Sequence, residues 1–221
     1  MNRKLIQTEH AFVWRQYRWA GCPPGGRIAL FRGDMIVPID QKKPPFWRYD
    51  AASRELWLSS LHLSKDTALY YLQQLQEFNP HLIYAYPSAI TILARYAELL
   101  AALPVIPSLK GIVTSSETLY DHDRAVIKRV FNVQIHDWYG AFERVIFIGT
   151  CEMGSYHVFS DYGLAEFISV EGEKEQNVCE LVSTGFINPV MPLIRYRTGD
   201  LVSLVNGSSY PVAVTFRWSA L

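Results

Sequence analysis

Three short apolar segments separated by two stretches of helical periodicity constrain this chain more than any other feature. They are Leu82-Ile-Tyr-Ala-Tyr86, Lys110-Gly-Ile-Val-Thr114 and Val133-Gln-Ile-His-Asp-Trp-Tyr139. Between the first two, Ile90, Leu93, Ala94, Ala97 and Ala101 follow the i, i+3, i+4, i+7 pattern, with Pro87 and Ser88 opening the helix and Leu103-Pro104 closing it. Between the second and third, Asp121 to Val130 carries acidic residues at its start and Lys128-Arg129 at its end, as the helix dipole favours. Strands joined through helices require right-handed crossovers. The fold class that follows is α/β, a mainly parallel sheet with flanking helices.

Upstream, Thr8 is expected to cap a helix running to Ala20, with Phe12, Val13, Tyr17 and Ala20 on one face and Gly21 as the stop. Arg27 to Phe31 reads as a buried strand closed by Gly33-Asp34, and Met35 to Ser60 as weak β structure. Ser64 is expected to cap a second helix whose stripe is Leu69, Leu72 and Leu75, ending at Asn79-Pro80.

After Glu143 the pattern changes. Val145 to Ile148, Tyr156 to Phe159, Leu164 to Val170 and Val178 to Thr184 are strands linked by short polar turns, with a charged hairpin tip at 171–177. Met191 to Asp200 reads as a strand ending in a tight turn at Gly199 that delivers Asp200, before Leu201 to Val205 resumes β pattern. A carboxylate so placed can accept two hydrogen bonds from a cis-diol such as ribose; a surface turn accounts for the same Thr-Gly-Asp composition. The expected organisation is an α/β subdomain over 1–145, a smaller β-rich subdomain over 146–205 and a tail of unassigned role over 206–221.

Parallel sheets bind ligands at the carboxyl ends of their strands. The residues there are Tyr86-Pro87-Ser88, Ser115-Ser116-Glu117 and Tyr139-Gly140 with Glu143. A structural loop explains any one of these singly; three in succession point to a site. Composition narrows what that site handles. The 21 basic residues balance the 21 acidic ones, which gives no reason to expect a nucleic-acid or anionic-membrane surface. No apolar run approaches membrane-spanning length, and three scattered cysteines suit a reducing, cytoplasmic setting. Cys151 and His157 fall short of a closed zinc set, and no G-x-S-x-G elbow accompanies Ser88, Ser115 or Ser116.

With Tyr139-Gly140-x-x-Glu143 followed by Tyr196-Arg-Thr-Gly-Asp200, the chain resembles the adenylate-forming (AMP-binding) superfamily, and within it the phenylacetate-CoA ligase-like branch, over about Thr8 to Val205. The resemblance implies that Tyr139 and Gly140 border the adenine and α-phosphate, that Glu143 holds the magnesium accompanying ATP, and that Asp200 grips the ribose hydroxyls. It also implies an adenine-side loop at Ser115, Ser116 and Glu117, and an acyl-pocket segment at Tyr86, Pro87 and Ser88. ATP, magnesium and coenzyme A are the implied cofactors, and a small-molecule carboxylic acid the implied substrate. The family's Ser/Thr/Gly-rich phosphate loop and its lysine-bearing C-terminal domain are not among these residues. The expectation is therefore a core that is not competent alone and works with a complementing chain or a second copy; a non-catalytic remnant or interaction module is the competing expectation.

Overall fold

The structure, a computed structural model, describes residues 3–170, 178–204 and 214–217. The chain forms two compact units, one of Ala20–His136 and one of Met1–Trp19 with Asp137–Leu221.

In the Ala20–His136 unit, β1 (Ile28–Arg32), β3 (Glu55–Ser59), β4 (Leu82–Ala85) and β5 (Gly111–Ser115) run parallel, and β2 (Trp47–Asp50) pairs antiparallel with β3. The order is β2-β3-β1-β4-β5, followed by β6 (Gln134–Gly140), which begins in this unit. Helices α2 (Ala68–Phe78), α3 (Pro87–Leu99) and α4 (Asp121–Phe131) form the crossovers. Every residue of β4 and β5 is buried, as expected of strands covered on both faces. Phe31, Leu58, Tyr71, Leu75, Ile83, Ile90, Leu93, Ile112 and Ile127 are among the residues that form one continuous core there. Asn79 and Asn132 end α2 and α4 in the left-handed conformation, a C-terminal role asparagine tolerates.

Two helix expectations are corrected. Helix α1 spans Arg3–Trp19, so Thr8 lies inside it and caps nothing. Leu5 joins Phe12 on the buried face two turns later, and Arg-Lys-Leu-Ile-Gln is good helix-forming sequence. Helix α2 begins at Ala68, not at Ser64, because Thr67 closes the preceding turn: its Oγ1 donates to the His62 carbonyl at 2.6 Å and accepts the Ser64 N–H at 2.9 Å. The buried stripe is Ala68, Tyr71, Leu72 and Leu75, and Leu69 is exposed, since i, i+3, i+4, i+7 fits the helical period better than a uniform spacing of three.

In the other unit, β7 (Phe147–Thr150) pairs antiparallel with β6, and β8 (Tyr156–Val158) with β7. The first two strands expected in the β-rich part thus continue from β6 instead, because a short connection brings β7 back along it. Phe12, Phe147, Phe159 and Tyr162 pack together, which seats α1 on these strands. A separate antiparallel sheet has the order β12-β11-β10-β9, from β9 (Gly163–Ser169), β10 (Val178–Gly185), β11 (Tyr196–Leu204) and β12 (Val214–Arg217). Leu181 of β10 and Val202 of β11 are fully buried. The charged tip at 171–177 and the tail residues 205–213 and 218–221 lie outside the described residues. No described helix is long and apolar enough to cross a membrane.

The Arg-Thr-Gly-Asp segment is not a turn between strands. It lies within β11, where the register against β10 shifts between Glu180 and Val182 and Gly199 has φ 81°. A β-bulge re-aims side chains without ending the strand. Leu193 and Ile194, expected in a strand, precede β11, and Ile194 is exposed.

Candidate functional site

The candidate residues assemble into two groups, one in each unit. In the unit that includes residues from 137 onward, Tyr139 sits near the end of β6 with its ring buried, and its hydroxyl donates to Asp200 Oδ2 at 2.5 Å. The half-buried Asp200 is presented by the bulge: its own N–H donates to Thr198 Oγ1 at 3.2 Å, while Thr198 Oγ1 donates to the Leu181 carbonyl at 3.0 Å. Glu143 lies on the connection after β6 and accepts a hydrogen bond from Tyr196 Oη at 2.9 Å. Tyrosines from β6 and β11 therefore each hold one carboxylate. Tyr196 and Thr198 were not among the site residues expected from the sequence. The signal available was their position on the same segment as Asp200.

Burial raises the Asp200 carboxyl above its ordinary value, the hydrogen bond from Tyr139 opposes this, and the nearby Glu143 charge adds to the rise. Burial and Asp200 push the Tyr139 phenol up, and Glu143 raises Tyr196. The arginines of the same segment face elsewhere: Arg195 pairs with Glu166 at 3.1 Å, and Arg197 with Glu180. Among the described residues, no lysine or arginine forms an ion pair with Glu143 or Asp200. The result is a concentration of negative charge with free lone pairs, suited to hydroxyl donors or a hard cation. Gly140 fits because an added Cβ would stand 2.7 Å from the Trp138 ring.

In the Ala20–His136 unit, Tyr86 precedes α3, Pro87 is its first residue, and Ser88 faces the loop after β5. The Ser88 N–H and Oγ donate to the two carboxylate oxygens of Glu117 at 2.8 and 2.9 Å. Glu117 thus satisfies a helix N-terminus that lacks a side-chain cap of its own. Ser115 is buried and shares a 2.7 Å hydrogen bond with Tyr84, while Ser116 is exposed with φ 70°. A left-handed non-glycine residue costs on the order of 1–3 kcal/mol and is found where surrounding structure holds it. Tyr84 was missed in the sequence, although a tyrosine within a buried strand requires a partner for its hydroxyl.

A lone carboxylate such as Glu143 fits magnesium, which keeps several waters and shares its coordination with substrate phosphates. No described cluster of three or more His, Cys, Asp or Glu residues could hold a metal by itself.

No family model matches the chain. It is 34% identical over 207 residues to Protein CapK of Staphylococcus aureus, covering 93% of this chain and 44% of CapK. Its structure is similar to that of 2-hydroxyisobutyryl-CoA ligase in complex with 2-HIB-AMP and CoA, with a TM-score of 0.65, 17% identity and coverage of 96% of this chain and 47% of that one. It is also similar to the anthranilate CoA ligase AuaEII in complex with anthranoyl-AMP, with a TM-score of 0.52, 17% identity and coverage of 70% and 33%. The chain spans under half the length of each of these proteins. Over that span, it carries the fold of the adenylate-forming acyl- and aryl-CoA ligases.

Proposed function

We propose that the chain is the nucleotide- and acyl-binding core of an adenylate-forming acyl- or aryl-CoA ligase-like protein of the phenylacetate-CoA ligase-like branch. The observation that carries this reading is the cluster of Tyr139, Glu143, Tyr196 and Asp200, which gathers two carboxylates with no ion-paired lysine or arginine among the described residues. In the reaction, a substrate carboxylate attacks the α-phosphorus of ATP and pyrophosphate leaves. A thiol then attacks the acyl carbonyl and AMP leaves. Such chemistry depends on positioning and charge neutralisation more than on covalent help from the protein.

Asp200 accepts the ribose hydroxyls in place of Tyr139, whose ring then lies against the nucleotide. Tyr196 holds the Glu143 carboxylate in orientation toward the nucleotide phosphates. Magnesium held at Glu143 would neutralise the charge that develops on those phosphates. Ser115, Ser116 and Glu117 border the adenine, and Tyr86, Pro87 and Ser88 the acyl group. By this reading a complementing chain or a second copy works with this core.

Calorimetry with AMP tests the reading. We expect weak binding that Asp200→Ala reduces by about 1.5–3 kcal/mol, the range for a charge-assisted hydrogen bond, and no acid-dependent exchange of pyrophosphate into ATP by the isolated chain. Absence of AMP binding would favour a non-catalytic remnant that retains the fold. Robust exchange would overturn the expected dependence on further groups.

A further inference from the structure

Arg32, at the carboxyl end of β1, has a function in neither group described above. Its guanidinium carbon lies over two aromatic rings, 5.2 Å from the centroid of Tyr84 and 5.5 Å from that of Tyr86. Its guanidinium shares a hydrogen bond with the Tyr86 side chain, while its Nε is buried and has no hydrogen-bond partner among the described residues. The acidic residue that acts on it, Asp34, is exposed and forms no ion pair with it. A buried guanidinium N–H left without an acceptor is unfavourable, and a forked cation stacked on aromatic faces is prepared for a planar anion.

The surroundings are fixed. Strands β1, β4 and β5 are parallel neighbours, so Arg32, Tyr84, Tyr86 and Ser115 come from the carboxyl-terminal part of adjacent strands. The Tyr84 hydroxyl is held by Ser115 at 2.7 Å. Gly33 lets the Tyr86 ring lie close, since an added Cβ there would stand 3.2 Å from its Cε2. Burial pulls the Arg32 pKa down, but Tyr84, Tyr86 and Asp34 outweigh it and the net direction is up, so the cation persists.

We propose that Arg32, stacked on Tyr84 and Tyr86, is a specificity-determining residue that binds a second carboxylate on the acid to be activated, making a dicarboxylic acid the preferred substrate. This rests on the reading of the chain as an acid-activating core. The reacting carboxylate is not the ligand Arg32 fits: a guanidinium forked onto it would engage the lone pairs that must attack phosphorus. A carboxylate at the far end of the acid takes the two N–H donors and leaves the reacting group free.

The test is calorimetry on the full chain with terephthalate and benzoate, with AMP and inorganic phosphate titrated separately. The expected result is a preference for the diacid of at least about tenfold, as a charge-assisted bidentate pair supports. Arg32→Met should abolish that preference with an unchanged circular dichroism spectrum. Arg32→Lys, which keeps the charge and loses the fork, serves if the methionine variant does not fold, and should lose most of the preference. Equal binding of the two acids, binding of neither, or full preference in the lysine variant overturns the proposal, as does phosphate binding as tightly as the diacid. Diacid preference without AMP binding supports Arg32 as a carboxylate site and refutes the nucleotide reading, so the two fail separately.

Discussion

The two units hold their polar residues by opposite means. In the Ala20–His136 unit, Ser115 ends a fully buried strand and Ser116 and Glu117 follow it directly, and a single core of strands and helices sets their backbone. Their hydrogen bonds are local to neighbouring strand ends: Tyr84 to Ser115, and Ser88 to Glu117. In the unit containing residues from 137, the two carboxylates are fixed by side chains. Glu143 and Asp200 are 57 positions apart in sequence order by their numbers, and each is held by a tyrosine from the other's segment: Tyr196 for Glu143 and Tyr139 for Asp200. This reciprocal arrangement ties β6 and its following loop to the bulged strand β11. One unit relies on core packing for its geometry, and the other on polar cross-links that a ligand can compete for.

The largest effect that separates these means is a core truncation. Leu93 is fully buried on α3, and Leu93→Ala should cost about 2–5 kcal/mol in urea unfolding through lost transfer energy and the cavity left behind. Hydrogen exchange on the same variant should show the loss of protection concentrated in 20–136. An equal loss across 178–204 would break the contrast between the units.

A smaller effect is expected at the start of α3. Glu117→Ala removes both acceptors from Ser88 and should cost roughly 0.5–2 kcal/mol, the range for a lost helix cap. The Ser88 amide should lose exchange protection while Leu93 keeps its own. Unchanged protection at Ser88 would show that water replaces Glu117 without loss.

The smallest effect concerns pH. Burial and the Glu143 charge raise the Asp200 carboxyl despite the hydrogen bond from Tyr139. The native state therefore binds this proton more tightly than the unfolded chain does. Its contribution to stability falls as pH rises from the ordinary carboxylate value through the raised one. Asp200→Asn should then melt slightly higher than the wild type near neutral pH, with the difference fading well below the ordinary carboxylate range. A neutral-pH melting temperature below that of the wild type would show that the ionised carboxylate stabilises this bulge. The same substitution should weaken AMP binding, which sets stability against function at one residue.

The sequence by itself determined the alternation of buried strands and helices from Leu82 to Tyr139, because burial on both faces demands unbroken apolar strands and the helical period marks the crossovers. It also placed Tyr139 and Glu143 at a strand end and Asp200 beside Gly199, and the family resemblance implied that they share a site, although which tyrosine holds which carboxylate was not legible. That depended on the bulge at Gly199, which appears only when β11 is laid against β10 and its register shifts. Only tertiary structure decided that α1 packs with Phe147, Phe159 and Tyr162, since an amphipathic helix specifies an apolar face and not which distant aromatic residues will cover it. The same holds for Arg32: its residue type was plain in the sequence, but an unpaired buried Nε and two rings beneath it exist only once β1 and β4 lie side by side.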